Sequence, residues 1–151
     1  MLLYVSRAST NLMAASPSFL ERDLAPPVCE FLQRLGYRTF QEVPFNGRIA
    51  DVVALRDDEV VGVELKLRDY RTAHRQALAY QVGCHRTFVA LPLESAMLCV
   101  RRHESAFRES GAGLLAVRMP EGDVSEVLPA RHHEKRFLPF VADGLRKLGA
   151  S

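Results

Sequence analysis

Between residues 36 and 92 short apolar runs alternate with polar turns, and the spacing of the apolar positions changes along the way. The segment YRTFQEVPF reads as an extended strand, and Asn46-Gly47 is a tight-turn dipeptide leading into RIADVVAL. Arg56-Asp57-Asp58-Glu59 forms the next polar turn, its three acids read as a solvated loop rather than a metal cluster. VVGVELKLR then alternates with a period of two, which puts Val61, Val63, Leu65 and Leu67 on one face and Gly62, Glu64, Lys66 and Arg68 on the other.

Helical spacing flanks this meander on both sides. Residues 26 to 35 carry Val28, Phe31, Leu32 and Leu35 at helical intervals, with prolines in the first turn and Gly36 at the end. Asp69 is suited to cap a helix over YRTAHRQALAYQVG, which Gly83 closes, and RTFVALP follows as a strand. The remainder predicts a helix near 94–109, strands GLLAVRM and DVSEVL around Pro120-Glu121-Gly122-Asp123, and a closing helix near 134–148. A strand, a helix and a strand in succession favour a parallel crossover, so the expected fold is α/β with a mixed sheet.

Composition adds bounds. The 151 residues are 48% hydrophobic and 25% charged, the balance of one soluble domain over 1–151. No apolar run is long enough to span a membrane. The first twenty residues lack acids, but Ser6 and Arg7 interrupt the apolar stretch, so a targeting role is not favoured. Cys29, Cys84 and Cys99 form no CxxC pair, which suits a reducing compartment, and a cytoplasmic location is the expectation. A net charge of +2 does not by itself announce nucleic-acid binding. The bases are 17 arginines and only 3 lysines, which singles out Lys66.

Asp51 sits inside the apolar run Ile49-Ala-Asp-Val-Val-Ala-Leu55, where an unpartnered carboxylate costs several kcal/mol or loses its charge. A short turn at 56–59 would bring Asp51 beside Glu64 on the neighbouring strand, and Lys66 would approach from the Glu64 face. Two adjacent carboxylates repel unless a cation lies between them, and magnesium takes oxygen ligands of this kind.

Asp51 in IADVVAL with Glu64 and Lys66 in VELKL resembles the PD-(D/E)xK nuclease superfamily, of restriction-endonuclease-like fold. Ala50 stands where the name-giving proline would be. Gln76 and Tyr80 in QALAY lie one helical turn apart and resemble the QxxxY element of the RecB-type and lambda-exonuclease-like branches. The resemblance covers about residues 26–92 and implies a core of helix, three-strand meander, helix and strand, with residues 93–151 as a C-terminal elaboration of further strands and a helix. It implies Mg2+- or Mn2+-dependent hydrolysis of nucleic acid, DNA ahead of RNA, with Asp51 and Glu64 as metal ligands, Lys66 positioning the attacking water and Gln76 supporting the site. The family often adds an acid from its first helix. Glu30 is the expected one, with Glu21 and Asp23 behind it, and Glu42 on the first strand is an outer-shell candidate.

Tyr80, Arg68, Arg71 and Arg75 are candidate nucleic-acid contacts, with His74 beside them, since arginine forks suit phosphate oxygens. Little chain remains for a sequence-reading domain, so the chain is expected to recognise structure or ends, to work as a homodimer or to depend on a targeting partner. Cys99 with His103, Cys84 with His85, and His132 with His133 offer a weak zinc reading, because none has paired ligand spacing. RHHEKR at 131–136 reads as a surface turn. The competing class is a catalytically inactive module of the same fold that binds nucleic acid or a protein. Converging carboxylates argue against it, because they would repel the phosphates a pure binder must hold.

Overall fold

The computed structural model describes residues 19–45, 47–134 and 138–150. A six-stranded mixed sheet runs in sequence order, β1-β2-β3-β4-β5-β6. Strands β1 (Arg38–Phe45), β2 (Arg48–Arg56) and β3 (Glu59–Leu65) form an antiparallel meander. A 3-10 turn at Glu21–Leu24 and helix α1 (Ala25–Arg34) precede it. Helix α2 (Tyr70–Tyr80) crosses to β4 (Arg86–Pro92), which pairs parallel with β3, and α3 (Leu93–Ser110) crosses to β5 (Gly113–Arg118), parallel with β4. Strand β6 (Asp123–Leu128) returns antiparallel on β5, and α4 (Leu138–Ala150) follows. Helix, three-strand meander, helix and strand therefore come in the order expected of a restriction-endonuclease-like core, with α3, β5, β6 and α4 added to it.

Each sheet face is covered because its strands alternate. Val52, Ala54, Val61, Val63 and Leu65 turn to one side and bury against Val28, Cys29 and Leu32 of α1, whose prolines sit in the first turn where a missing amide donor costs little. On the other side Ala73 and Ala77 of α2 and Cys99 and Phe107 of α3 cover Val89, Leu91, Leu114 and Ala116. Ala142 and Leu145 of α4 close the same side over Val53, Leu55 and Val60. No described helix is long and apolar enough to cross a membrane.

The closing helix starts later than its sequence suggested. Arg131 N–H donates to the Gly111 carbonyl at 2.7 Å and His133 N–H to the His85 carbonyl at 2.7 Å, so residues 131–134 are not helical and two of their donors are satisfied by distant carbonyls. Asn46 of the expected Asn46-Gly47 turn and residues 135–137 lie outside the described residues; Gly47 itself has a φ of 78°.

Gly83 is required by close approach, since a Cβ there would collide with the Phe45 ring. Gly83→Ala is expected to displace that ring and cost about 1–3 kcal/mol of stability, read as a lowered denaturation midpoint.

Candidate active site

Strands β2 and β3 pair Val52 with Val63, and one further step of this register sets Asp51 opposite Glu64. On the other side of β2, Gln41 pairs with Val52 and Val43 with Ala50, which leaves Glu42 across from Asp51. Three acids on three adjacent strands thus share one level of the sheet. Glu42 is exposed and holds a left-handed φ of 53°, a local break in β1.

The inner two acids are constrained. Glu64 is only 5% exposed, and the Tyr80 hydroxyl donates to its Oε2 at 2.5 Å. The same hydroxyl lies 3.4 Å from the Ile49 carbonyl oxygen. Asp51 Oδ2 accepts the Leu65 N–H at 2.8 Å. Burial pushes the Glu64 carboxyl up to about 7; the Tyr80 hydrogen bond opposes this and the Asp51 charge adds to it. Asp51 is also raised, by burial first and further by Glu42, against the pull of the Leu65 N–H and Lys66. Tyr80 is raised in turn, by burial and by its bond to Glu64, and so stays a donor at ordinary pH.

Lys66 lies just past the end of β3, where its N–H donates to the Ala90 carbonyl at 3.1 Å. Its ammonium is close enough to favour ionisation of both Asp51 and Glu64. Nζ stands 4.0 Å from Glu21 Oε1, while Glu21 Oε2 accepts the Leu67 N–H at 3.2 Å. Ser95, in the first turn of α3, donates its hydroxyl to the Leu67 carbonyl at 2.6 Å. The backbone that carries Lys66 is therefore clamped from the 3-10 turn and from α3.

The acid expected from the first helix does not reach the acid pair. Glu30 pairs with Arg34 one turn along α1 at 2.5 Å, and both side chains are largely exposed, so Glu30 is not drawn into the cluster. Glu21 reaches Lys66 instead, because the 3-10 turn rather than α1 borders the end of β3.

Gln76 lies one turn before Tyr80 on the same side of α2, and its Oε1 is buried with no hydrogen-bond partner among the described residues. An orphaned buried carbonyl oxygen calls for a donor or a cation. Arg68, Arg71 and Arg75 are exposed; Arg75 donates to Thr72 Oγ1 at 3.2 Å within α2, and Arg71 acts on His103. The described interactions of Arg71 and Arg75 are with residues of α2, its cap and α3, and not with the acid pair. His74 is buried and bonded to Ser110 Oγ at 2.9 Å, so it is a packing residue instead of a phosphate contact.

One other group of ligand-type side chains converges among the described residues. Donor atoms of His85, His132 and Glu134 lie within 4.8 Å of one another, next to the start of β4 and hence at the end of the sheet away from Glu64. His85 Nδ1 accepts the Val60 N–H at 2.9 Å, which leaves the proton of the neutral ring on Nε2. Nε2 then faces Glu134 Oε2 at 3.8 Å as a donor, without the lone pair a metal needs. The cysteines of the weak zinc reading are buried and unpaired, with Cys84 pushed up to about 12 and Cys99 to about 11 by burial.

Neither a protein-family model nor a curated protein matches the chain. Among solved structures it is similar to the SPO1766 protein of unknown function from Silicibacter pomeroyi, with 22% identity over 88% of this chain and 92% of that one and a TM-score of 0.62. An XisH family protein from Nostoc punctiforme follows at 17% identity, 70% and 95% coverage and a TM-score of 0.51. An fdxN element excision controlling factor protein from Anabaena variabilis matches at 16% identity, 70% and 98% coverage and a TM-score of 0.52. The fold is thus α/β, a six-stranded mixed sheet flanked by helices as in the XisH-type structures.

Proposed function

We propose that the chain is a metal-dependent nuclease that hydrolyses phosphodiester bonds of nucleic acid, DNA ahead of RNA. The observation that carries this reading is the burial of Asp51 against Glu64 with Lys66 alongside and Tyr80 holding Glu64 in place. Two carboxylates whose ionisation burial opposes form an unfavourable arrangement for a purely structural sheet, and one that a divalent cation relieves. The fit to magnesium or manganese rests on the donor set: Asp51 and Glu64 supply hard oxygens, and the orphaned Gln76 oxygen is a further acceptor on the α2 side. When bound, the ion would act as a Lewis acid toward the phosphoryl group.

Within the protein, Lys66 would orient the attacking water and offset charge growing on the phosphate oxygens. Tyr80 fixes the rotamer of Glu64, and Glu21 holds the Lys66 segment. Arg68, Arg71 and Arg75 would meet the phosphate backbone, giving position without sequence information. Target choice would then come from a second copy or a partner protein. The structural neighbour named for control of fdxN element excision agrees with a nucleic-acid partner.

The test is cleavage of linear duplex, single-stranded, branched and circular DNA, with RNA alongside, in magnesium, manganese and EDTA. Metal-dependent cleavage that co-purifies with the wild type and is lost in Asp51→Ala and Lys66→Ala supports the assignment. Metal-independent binding without cleavage, tightened when Asp51 is neutralised, would make the chain a binding module. Tyr80→Phe removes only the hydroxyl that orients Glu64, and is expected to lower metal-dependent cleavage by about 10–100-fold, measured as initial rate against Mg2+ concentration.

A further inference from the structure

Lys66 is carried by a connection, residues 66–69, that belongs to neither β3 nor α2. Backbone outside a helix or strand owes its shape to whatever takes its polar groups. Here those groups are taken from outside: the Lys66 N–H donates to the Ala90 carbonyl at 3.1 Å, the Leu67 N–H to Glu21 Oε2 at 3.2 Å, and the Leu67 carbonyl accepts the Ser95 hydroxyl at 2.6 Å. At the far end Asp69 accepts the Thr72 N–H and starts α2.

The Ser95 bond is anchored on a firm element. Ser95 lies in the first turn of α3, an 18-residue helix whose Ala96, Cys99 and Phe107 are fully buried in the core. A serine on a helix commonly turns its hydroxyl to a carbonyl of its own helix, as Ser110 does at the other end of α3, donating to the Phe107 carbonyl at 3.0 Å. Ser95 instead reaches a carbonyl 28 residues earlier in the chain, on the residue next to Lys66. The two carboxyls have other supports: Asp51 has the Leu65 N–H and Glu64 the Tyr80 hydroxyl. Removing the Ser95 hydroxyl therefore frees the Lys66 connection and leaves the acid pair in place.

We infer that Ser95 is a positioning residue, which through the Leu67 carbonyl fixes where the Lys66 ammonium stands beside Asp51 and Glu64. The inference rests on the nuclease reading for what Lys66 does in the reaction, while its structural half is measurable without cleavage.

The test takes two readouts on the full chain, as wild type, Ser95→Ala, Ser95→Thr and Ser110→Ala. The first is kcat and KM for cleavage of an end-labelled oligonucleotide in saturating Mg2+, with Mn2+ affinity measured by calorimetry. The second, in EDTA, is the rate at which an amine-reactive acetylating reagent labels Lys66, read by peptide mass spectrometry against Lys147, which is straightforward in a chain with 3 lysines. Ser95→Ala is expected to lower kcat about tenfold or more at unchanged KM and Mn2+ affinity. It should speed Lys66 labelling about threefold or more as the connection opens. Threonine at 95 restores both, and Ser110→Ala, which removes a comparable bond within α3, leaves both at wild-type values. Lys66 labelling unchanged in Ser95→Ala, or Ser110→Ala matching Ser95→Ala, would overturn the inference. So would a Mn2+ affinity that falls in step with kcat, which assigns the bond to the acid pair. A wild type that does not cleave, with Lys66 labelling still governed by Ser95, removes the nuclease reading and keeps the positioning; wild-type cleavage that Ser95→Ala leaves unchanged does the reverse.

Discussion

Asparagine at position 51 is expected to lower metal-dependent cleavage by about a thousandfold or more, with the fold intact. The substitution keeps the shape of the side chain and an oxygen able to accept the Leu65 N–H, so the hydrogen bond that orders the end of β2 survives. What it removes is the charge that Asp51 shares with Glu64. A loss of activity with an unchanged circular dichroism spectrum and melting temperature therefore reports on the cation and not on folding. Lys66→Ala should be similarly inactive for a different reason, since it removes the positive charge beside the two carboxyls. The initial cleavage rate of an end-labelled oligonucleotide in Mg2+ checks both. Activity within a few-fold of wild type in either variant would remove that residue from the mechanism.

Glu64→Gln is expected to abolish cleavage to a similar extent while making the metal-free protein more stable at pH 8. The folded protein raises the Glu64 carboxyl from 4.5 to about 7. A group with a raised pKa binds its proton more tightly when folded, so its stabilising contribution is present below pH 4.5 and is lost as pH climbs through about 7. At pH 8 the wild type must hold a buried carboxylate against Asp51, and glutamine removes that cost while still accepting the Tyr80 hydroxyl. The gain is about 2 kcal/mol, or a rise in Tm of about 4–8 °C in EDTA. It should shrink at pH 5, where the wild-type carboxyl is protonated, and shrink again in saturating Mg2+. Buried His74 and His85 and the less buried His103 work in the opposite direction, because their lowered pKa values withdraw stability as pH falls below 6.5. Comparing the variant with wild type at each pH cancels that common background. A variant no more stable at pH 8 than at pH 5, relative to wild type, would mean the acid pair stores no repulsion.

Much of this site was legible in the sequence because strand periodicity is short and turns are local. The Asp57-Asp58 turn pairs Arg56 with Glu59, and from that register the facing of Asp51 and Glu64 follows by counting. The two-residue repeat likewise separated Val61, Val63 and Leu65 from Glu64. Helix rotation was not legible in this way. Whether Glu30 or Glu21 reaches Lys66 depends on how α1 docks on the sheet and on the 3-10 turn before it, which three-dimensional packing decides. The alignment of Glu42 with Asp51 needed the β1–β2 register, and the non-helical run at 131–134 needed carbonyls of Gly111 and His85 that lie far away in sequence. The apolar groove between Phe45 of β1 and Leu145 of α4 needed α4 in place, and no local pattern announces it.

The most direct measurement for the central claim is the rate at which the full chain cleaves an end-labelled single strand as Mg2+ is raised, with Glu64→Gln purified in parallel. The account expects a rate that saturates with Mg2+ in the wild type and stays at the EDTA background in the variant. Equal rates in the two proteins, or no saturable Mg2+ dependence in either, would contradict it.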